Sequence, residues 1–196
     1  MKNPQIPLEL LITYGATFKE YQKGEIIFSE NEYPNYYFQV VSGSIKMFNT
    51  NDEGKEFTQG YFLRGQSFGE PPLLINERYP ASAMAFQNME VVRVPKQKFF
   101  QILEEHPQIQ KDFLILMARR IHNKATTSKD IINQKADFRI KAFLNSYKKG
   151  DEKELIPFTR QEIANFTGLR VETVIRTIKN MAKKKQLEVR DHKIYY

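Results

Sequence analysis

The chain has 196 residues, 41% hydrophobic and 27% charged, which suits one or two domains burying roughly two-thirds of the unfolded surface. It has no cysteine, which excludes disulfides, thiolate zinc sites, cysteine-ligated iron–sulfur clusters and a cysteine nucleophile. Residues 1–138 carry 16 Lys/Arg and 16 Asp/Glu, whereas residues 139–196 carry 14 and 7. The whole net charge of +7 therefore sits in the last 58 residues, as expected of a basic module that meets a polyanion.

The opening PLELLI is short and carries Glu9, so it reads as neither a signal peptide nor a membrane span, and the expectation is a soluble, cytoplasmic protein. From about residue 17 to 100 the pattern is one of short strands rich in aromatic and β-branched residues. EIIF (25–28), YYFQVV (36–41), SIKMF (44–48) and EVVRV (90–94) are separated by recurrent glycines. Such spacing predicts a small β-roll or sandwich, with NDEGKEF (51–57) as a hairpin turn, and no helical period appears between residues 24 and 94.

KQKFFQILEEHP (96–107) then predicts a short helix stopped before Pro107. A long helix follows to about Ile132, in which Leu114, Met117, Ile121, Lys124, Ser128 and Ile131 keep a 3-4-3-4-3 spacing. That is the seam of a two-helix coiled coil, so Leu114, Met117, Ile121, Ser128 and Ile131 are expected at a dimer interface. Phe113 and Leu116 lie to one side, where they can face the β-roll. ADFRIKAFLNSY (136–147) predicts a further amphipathic helix, ended by KKGD with Gly150 as terminator. The expected class is α+β, divided into a β-roll (1–105), a dimerisation helix (106–134) and a C-terminal reader (135–196).

In the reader, Thr159-x-x-Glu162 has the form of a capping box, with Phe158 and Ile163 placed as a hydrophobic staple. Gly168 permits a tight turn, after which Val171, Val174, Ile178, Met181 and Ala182 share one face of a second helix. Glu172, Ile175, Arg176, Lys179 and Lys183 share the other. This is the layout of a helix-turn-helix, whose second helix enters the major groove. Arg176 can bond guanine O6 and N7, Glu172 can accept from cytosine N4, and Ile175 between them can meet a thymine methyl. Lys179 and Lys183 to Lys185 suit phosphates. A surface ion pair between Glu172 and Arg176 is the plainer alternative, but the capping box, glycine turn and local charge favour DNA reading. LEVRDHKIYY (187–196) reads as a two-stranded wing with Lys193 near its tip, although its turn lacks a glycine.

These motifs, in this order, resemble the cyclic-AMP receptor/fumarate-nitrate regulator (Crp/Fnr) family of bacterial transcription factors. The resemblance is carried by KGEIIFSENE and VVSGSIKMF, SFGEPPLL with YPASA, HPQIQKDFLILMARRI and TRQEIANFTGLRVETVIRTIKNM. It implies a homodimer that binds a palindrome with TGA-type half-sites, with RNA polymerase as partner. It also implies Glu172 and Arg176 as base readers, and Arg160, Gln161, Thr173 and Lys193 at phosphate-contacting positions. Arg170 stands where the family commonly has a hydroxyl helix cap; arginine cannot accept that bond but can reach a phosphate.

The resemblance places an effector pocket around Gly69, Glu70, Arg78, Pro80, Ala81, Ser82 and Lys124. The family clamps a cyclic phosphate with an arginine and a hydroxyl residue, yet those positions are Pro80 and Ala81, which offer no side-chain donor. Lys124 and Ala125 replace the hydroxyl residues that usually meet the adenine. Both departures argue against cyclic AMP as effector; a cyclic-nucleotide-responsive regulator in which Arg78 and Ser82 form a non-standard clamp is the alternative. No cofactor or metal is expected: His106, His122 and His192 lack metal-site spacing, and residues 1–105 hold no histidine for a cupin-like metal enzyme. The chain is expected not to be an enzyme.

Overall fold

In the computed structural model residues 6–132, 135–148 and 153–196 are described, with side chains of the long helix described to Ala125. The chain divides into two compact units, Met1–Ile121 and His122–Tyr196.

The first unit contains α1 (Leu8–Thr13), β1 (Thr17–Tyr21), β2 (Ile26–Phe28), β3 (Tyr36–Ser42), β4 (Ser44–Thr50), β5 (Glu56–Leu63), β6 (Ser67–Phe68), α2 (Glu70–Ile75), β7 (Ser82–Ala85), β8 (Met89–Pro95) and α3 (Lys96–Glu105). It also holds the first part of α4 (Pro107–Ile132). The strands form two four-stranded sheets, ordered β1-β8-β3-β6 and β2-β7-β4-β5, with every pairing antiparallel.

Alternation along the central strands sets up two cores, since successive side chains of a strand leave on opposite faces. Tyr37, Val92 and Val94 join Leu11, Leu73, Phe99, Ile102, Phe113 and Leu116 in a core shared with the helices. Phe38, Val40 and Val91 join Phe28, Ile45, Phe68, Tyr79 and Ala83 in the interior of the roll. Phe113 and Leu116 thus take the inward side expected of them, at 3% and 4% exposure. The hairpin at residues 51–57 forms as read: the Asn51 side chain accepts from the Glu53 and Lys55 amides at 3.2 and 2.8 Å, and Gly54 takes φ 75°.

One short helix, α2, lies between residues 24 and 94, a span in which the sequence shows no helical period. Six residues are fewer than two turns, too few to display a period. Their prolines sit in the first turn, where a missing N–H costs no helical bond. The helix starts from Gly69 in the left-handed region (φ 75°), where an added Cβ would stand 3.2 Å from the rings of Phe28 and Tyr79.

The second unit holds the rest of α4, then α5 (Ala136–Tyr147), β9 (Leu155–Ile156), α6 (Arg160–Thr167), α7 (Val171–Lys183), β10 (Glu188–Arg190) and β11 (Lys193–Tyr195). The three strands make a sheet ordered β10-β11-β9. Phe143, Tyr147, Phe158 and Phe166 form an aromatic cluster that joins α5 to α6, with ring centroids 4.6–5.3 Å apart in the closest pairs. Gly150 lies outside the described residues.

Candidate nucleic-acid interface

The capping box expected at Thr159 is present: its hydroxyl accepts from the Glu162 amide at 3.2 Å, and the Glu162 carboxylate accepts from the Thr159 amide at 2.7 Å. Phe158 and Ile163 are both buried beside it. Thr159→Ala removes one of the two bonds and is expected to lower the stability of this unit by about 1 kcal/mol. Thermal unfolding of variant and parent measures this directly, and an unchanged midpoint would show that the box contributes nothing.

Helix α6 ends at Thr167, and Gly168 turns the chain with φ 65°. Three residues later α7 begins at Val171 without a side-chain cap, since Arg170 at the cap position is a donor. Val174, Ile178 and Met181 are buried at i, i+4 and i+7, the spacing that anchors one helix face. On the other face Glu172, Ile175, Arg176, Lys179, Asn180 and Lys183 line one open groove. Among the described residues no ion pair joins Glu172 to Arg176. The plainer surface-pair alternative therefore has no support from the geometry, and both charged ends stand free to meet a partner. Ile175 is 40% exposed between them, an aliphatic side chain among the polar residues of that face. Asn180 belongs to the same face and was missed in the sequence, where an asparagine between basic residues carries no period.

The wing pairs Glu188 with Tyr195 and Arg190 with Lys193 in antiparallel register. Its two-residue turn places Asp191 and His192 at φ 47° and 61°, a conformation that mirrors the common turn and matches strand twist. Asp and His tolerate it better than most side chains, which resolves how a wing without glycine is made. Arg160 donates from Nη1 to the His192 carbonyl, tying the start of α6 to the wing tip. Gln161 donates to Asn165 Oδ1 at 2.8 Å. Arg170, Lys179 and Lys193 are exposed, and Thr173 is half-buried. On the wing, hydrogen bonds from Lys153 and Arg190 hold the Glu188 carboxyl below its usual pKa.

The expected effector positions sit in the first unit, apart from Lys124, which is exposed in the second. Glu70 is fully buried, and Arg120 of α4 donates to its Oε2 at 2.7 Å and to the Ser67 carbonyl at 2.7 Å. Arg78 is turned outward: it donates to the Asn31 carbonyl at 2.7 Å and lies 4.2 Å from the Tyr33 ring centroid. Ser82 Oγ accepts from the Glu30 amide at 2.9 Å. Pro80 is exposed and Ala81 buried. Beside them the rings of Phe28 and Tyr79 stack with centroids 3.7 Å apart. Burial pushes the Tyr79 hydroxyl pKa far above its usual range.

On the expected dimer seam Leu114 and Ile121 are each 71% exposed, whereas Met117 is half-buried against the helical core. Ser128 and Ile131 lie outside the residues whose side chains are described. Among the described residues no helix is long and apolar enough to cross a membrane.

A β-roll followed by a long helix and a winged helix-turn-helix defines the class of DNA-binding transcription regulators with an N-terminal sensor domain. The comparisons agree: residues 18–106 match the Cyclic nucleotide-binding domain family and residues 139–195 the Crp-like helix-turn-helix domain family. The chain belongs to the Crp/Fnr family of transcription regulators. It is 29% identical over 176 residues to the transcriptional activator protein Anr of Pseudomonas aeruginosa, covering 86% of this chain and 70% of the relative. It is 26% identical over 170 residues to the nitrogen fixation regulation protein FixK of Bradyrhizobium diazoefficiens, covering 83% and 70%. Its fold is that of the c-di-GMP responsive global regulator CLP of Xanthomonas campestris, with TM-score 0.81, 18% identity and 96% of each chain covered.

Proposed function

We propose that the chain acts as a homodimer on palindromic DNA with TGA-type half-sites, and that Glu172, Ile175 and Arg176 read the bases. The exposed α7 face, with both charged side chains unpaired among the described residues, is the observation that carries this reading. Arg160, Gln161, Arg170, Thr173, Lys179 and Lys193 surround that face as phosphate contacts, which give affinity without sequence information. Two reader helices about one DNA turn apart would occupy successive major grooves. The exposed Leu114 and Ile121 support pairing of two copies along α4. The chain works in the cytoplasm with RNA polymerase as partner, and it catalyses no reaction.

The effector is a molecule other than cyclic AMP, or there is none. Three observations support this. Pro80 and Ala81 lack donors, Arg78 and Ser82 are engaged elsewhere, and Glu70 is already paired with Arg120. An iron–sulfur cluster held by cysteines has no ligands in this chain.

Light scattering of the complex tests the assembly. Two chains per palindromic duplex are expected, with a duplex carrying one half-site bound far more weakly. One chain per duplex, with equal affinity for one half-site and two, would contradict the dimer.

A further inference from the structure

Arg139 lies in α5, outside the two helices of the reader, and no pattern in the sequence gives it a role. Its Nη2 donates to the carbonyl of Thr167, the last residue of α6. Two carbonyls of the preceding turn have partners of their own. Ile163 O accepts from the Thr167 hydroxyl at 2.6 Å, and Ala164 O accepts from the Gly168 and Leu169 amides. Arg139 therefore supplies a bond at a place where the helix has no donor left of its own. A cation is also electrostatically favoured at a helix C-terminus. The arrangement is not free, because Arg139 Nε is buried with no partner among the described residues, and an unmade bond of that kind is destabilising. A solvated arginine would have avoided that cost.

We propose that Arg139 is a positioning residue for the reader: it fixes the peptide between Thr167 and Gly168 and so holds α7 at its angle to α6. This rests on α7 being the helix that reads bases. From Thr167 only Gly168, Leu169 and Arg170 separate the clamped carbonyl from the first residue of α7. Gly168 is held at φ 65° and ψ 19°, and glycine is the residue least able to keep one conformation unaided. A tilt of α7 does not affect all DNA contacts equally. Two-donor bonds to a base edge tolerate little displacement, while lysines on flexible stems follow a phosphate over several positions. Loss of the clamp should therefore weaken discrimination between sequences more than it weakens binding in general.

The test compares full-length Arg139→Met, which keeps the apolar stem, and Arg139→Lys, which keeps a cation and a donor. Affinities for a TGA/TCA palindrome and for a scrambled duplex are measured over a salt series, beside the thermal midpoint of each protein and an Arg176→Ala control. Arg139→Met is expected to cut the ratio of specific to scrambled affinity roughly five- to tenfold with the salt slope unchanged. Arg139→Lys should restore part of that ratio. Equal weakening on both duplexes with the slope reduced by about one would make Arg139 a phosphate contact and overturn the proposal. A lower thermal midpoint with the ratio intact would make its role one of folding alone, and would also overturn it. If Arg176→Ala also leaves the ratio intact, the reader assignment falls as well; if it collapses the ratio while Arg139→Met does not, the Arg139 inference alone is wrong.

Discussion

Arg120→Ala is expected to destabilise the first unit by about 3–5 kcal/mol, because it leaves the Glu70 carboxylate buried with no cation. Glu70 is 0% exposed, and its Oε1 has no hydrogen-bond partner among the described residues, so the Arg120 bond to Oε2 carries the compensation for its charge. Arg120 itself keeps 27% of its side chain exposed, so its own desolvation is partial and the pair is asymmetric. Removing the guanidinium also frees the Ser67 carbonyl on β6. Urea unfolding of Arg120→Ala and of Arg120→Ala combined with Glu70→Gln separates the causes. The double variant removes the stranded charge and should recover a substantial part of the loss. A single variant that costs less than about 1 kcal/mol would mean that Glu70 reaches solvent and that the pair is of the weak surface kind.

Arg176→Ala is expected to weaken binding of the cognate palindrome by about 1–3 kcal/mol per contacted base pair and to relax preference at that position. The physical reason is the paired donors of guanidinium, which match guanine O6 and N7 and which alanine does not replace. Arg176 is exposed, without an ion-pair partner among the described residues, and one turn from Glu172 on a helix whose opposite face is anchored by Val174, Ile178 and Met181. The variant should therefore fold normally. Measuring its affinity for duplexes varied at each position of the half-site gives the answer. Weakening confined to one position per half-site supports base reading, whereas uniform weakening with a shallower salt slope would assign Arg176 to a phosphate.

The reader was legible in the sequence because its signals are local. A capping box spans four residues, a glycine turn one, and the apolar stripe of α7 recurs within two or three turns. Charge was equally informative once it was located along the chain rather than summed. The long helix could be read for the same reason, down to the inward side chain of Phe113 beside the exposed Leu114.

What stayed hidden depends on contacts between residues far apart in the chain. Arg120 and Glu70 are 50 positions apart, and Arg139 and Thr167 are 28 apart. A lone arginine on a helix gives no hint of which carbonyl or carboxylate it will meet. Helix α2 was too short to show a period. The wing turn was uncertain because Asp191 and His192 adopt a backbone conformation that sequence reasoning assigns first to glycine. The pocket positions were placed by resemblance, and their physical state emerged from packing. Arg78 is near Pro80 in the chain, which makes it the candidate for a substitute clamp, yet its guanidinium lies over Tyr33 and donates to the Asn31 carbonyl.

In the proposed function α7 reads a palindrome independently of cyclic AMP. Fluorescence anisotropy of a labelled duplex with TGA/TCA half-sites, against a scrambled duplex at one fixed salt concentration, tests it most directly. Each titration is run with and without cyclic AMP. Tighter binding to the palindrome, by the same ratio in both conditions, is the expected result. Equal affinity for the two duplexes would contradict the reader, and specific binding that appears with cyclic AMP alone would contradict the account of the pocket.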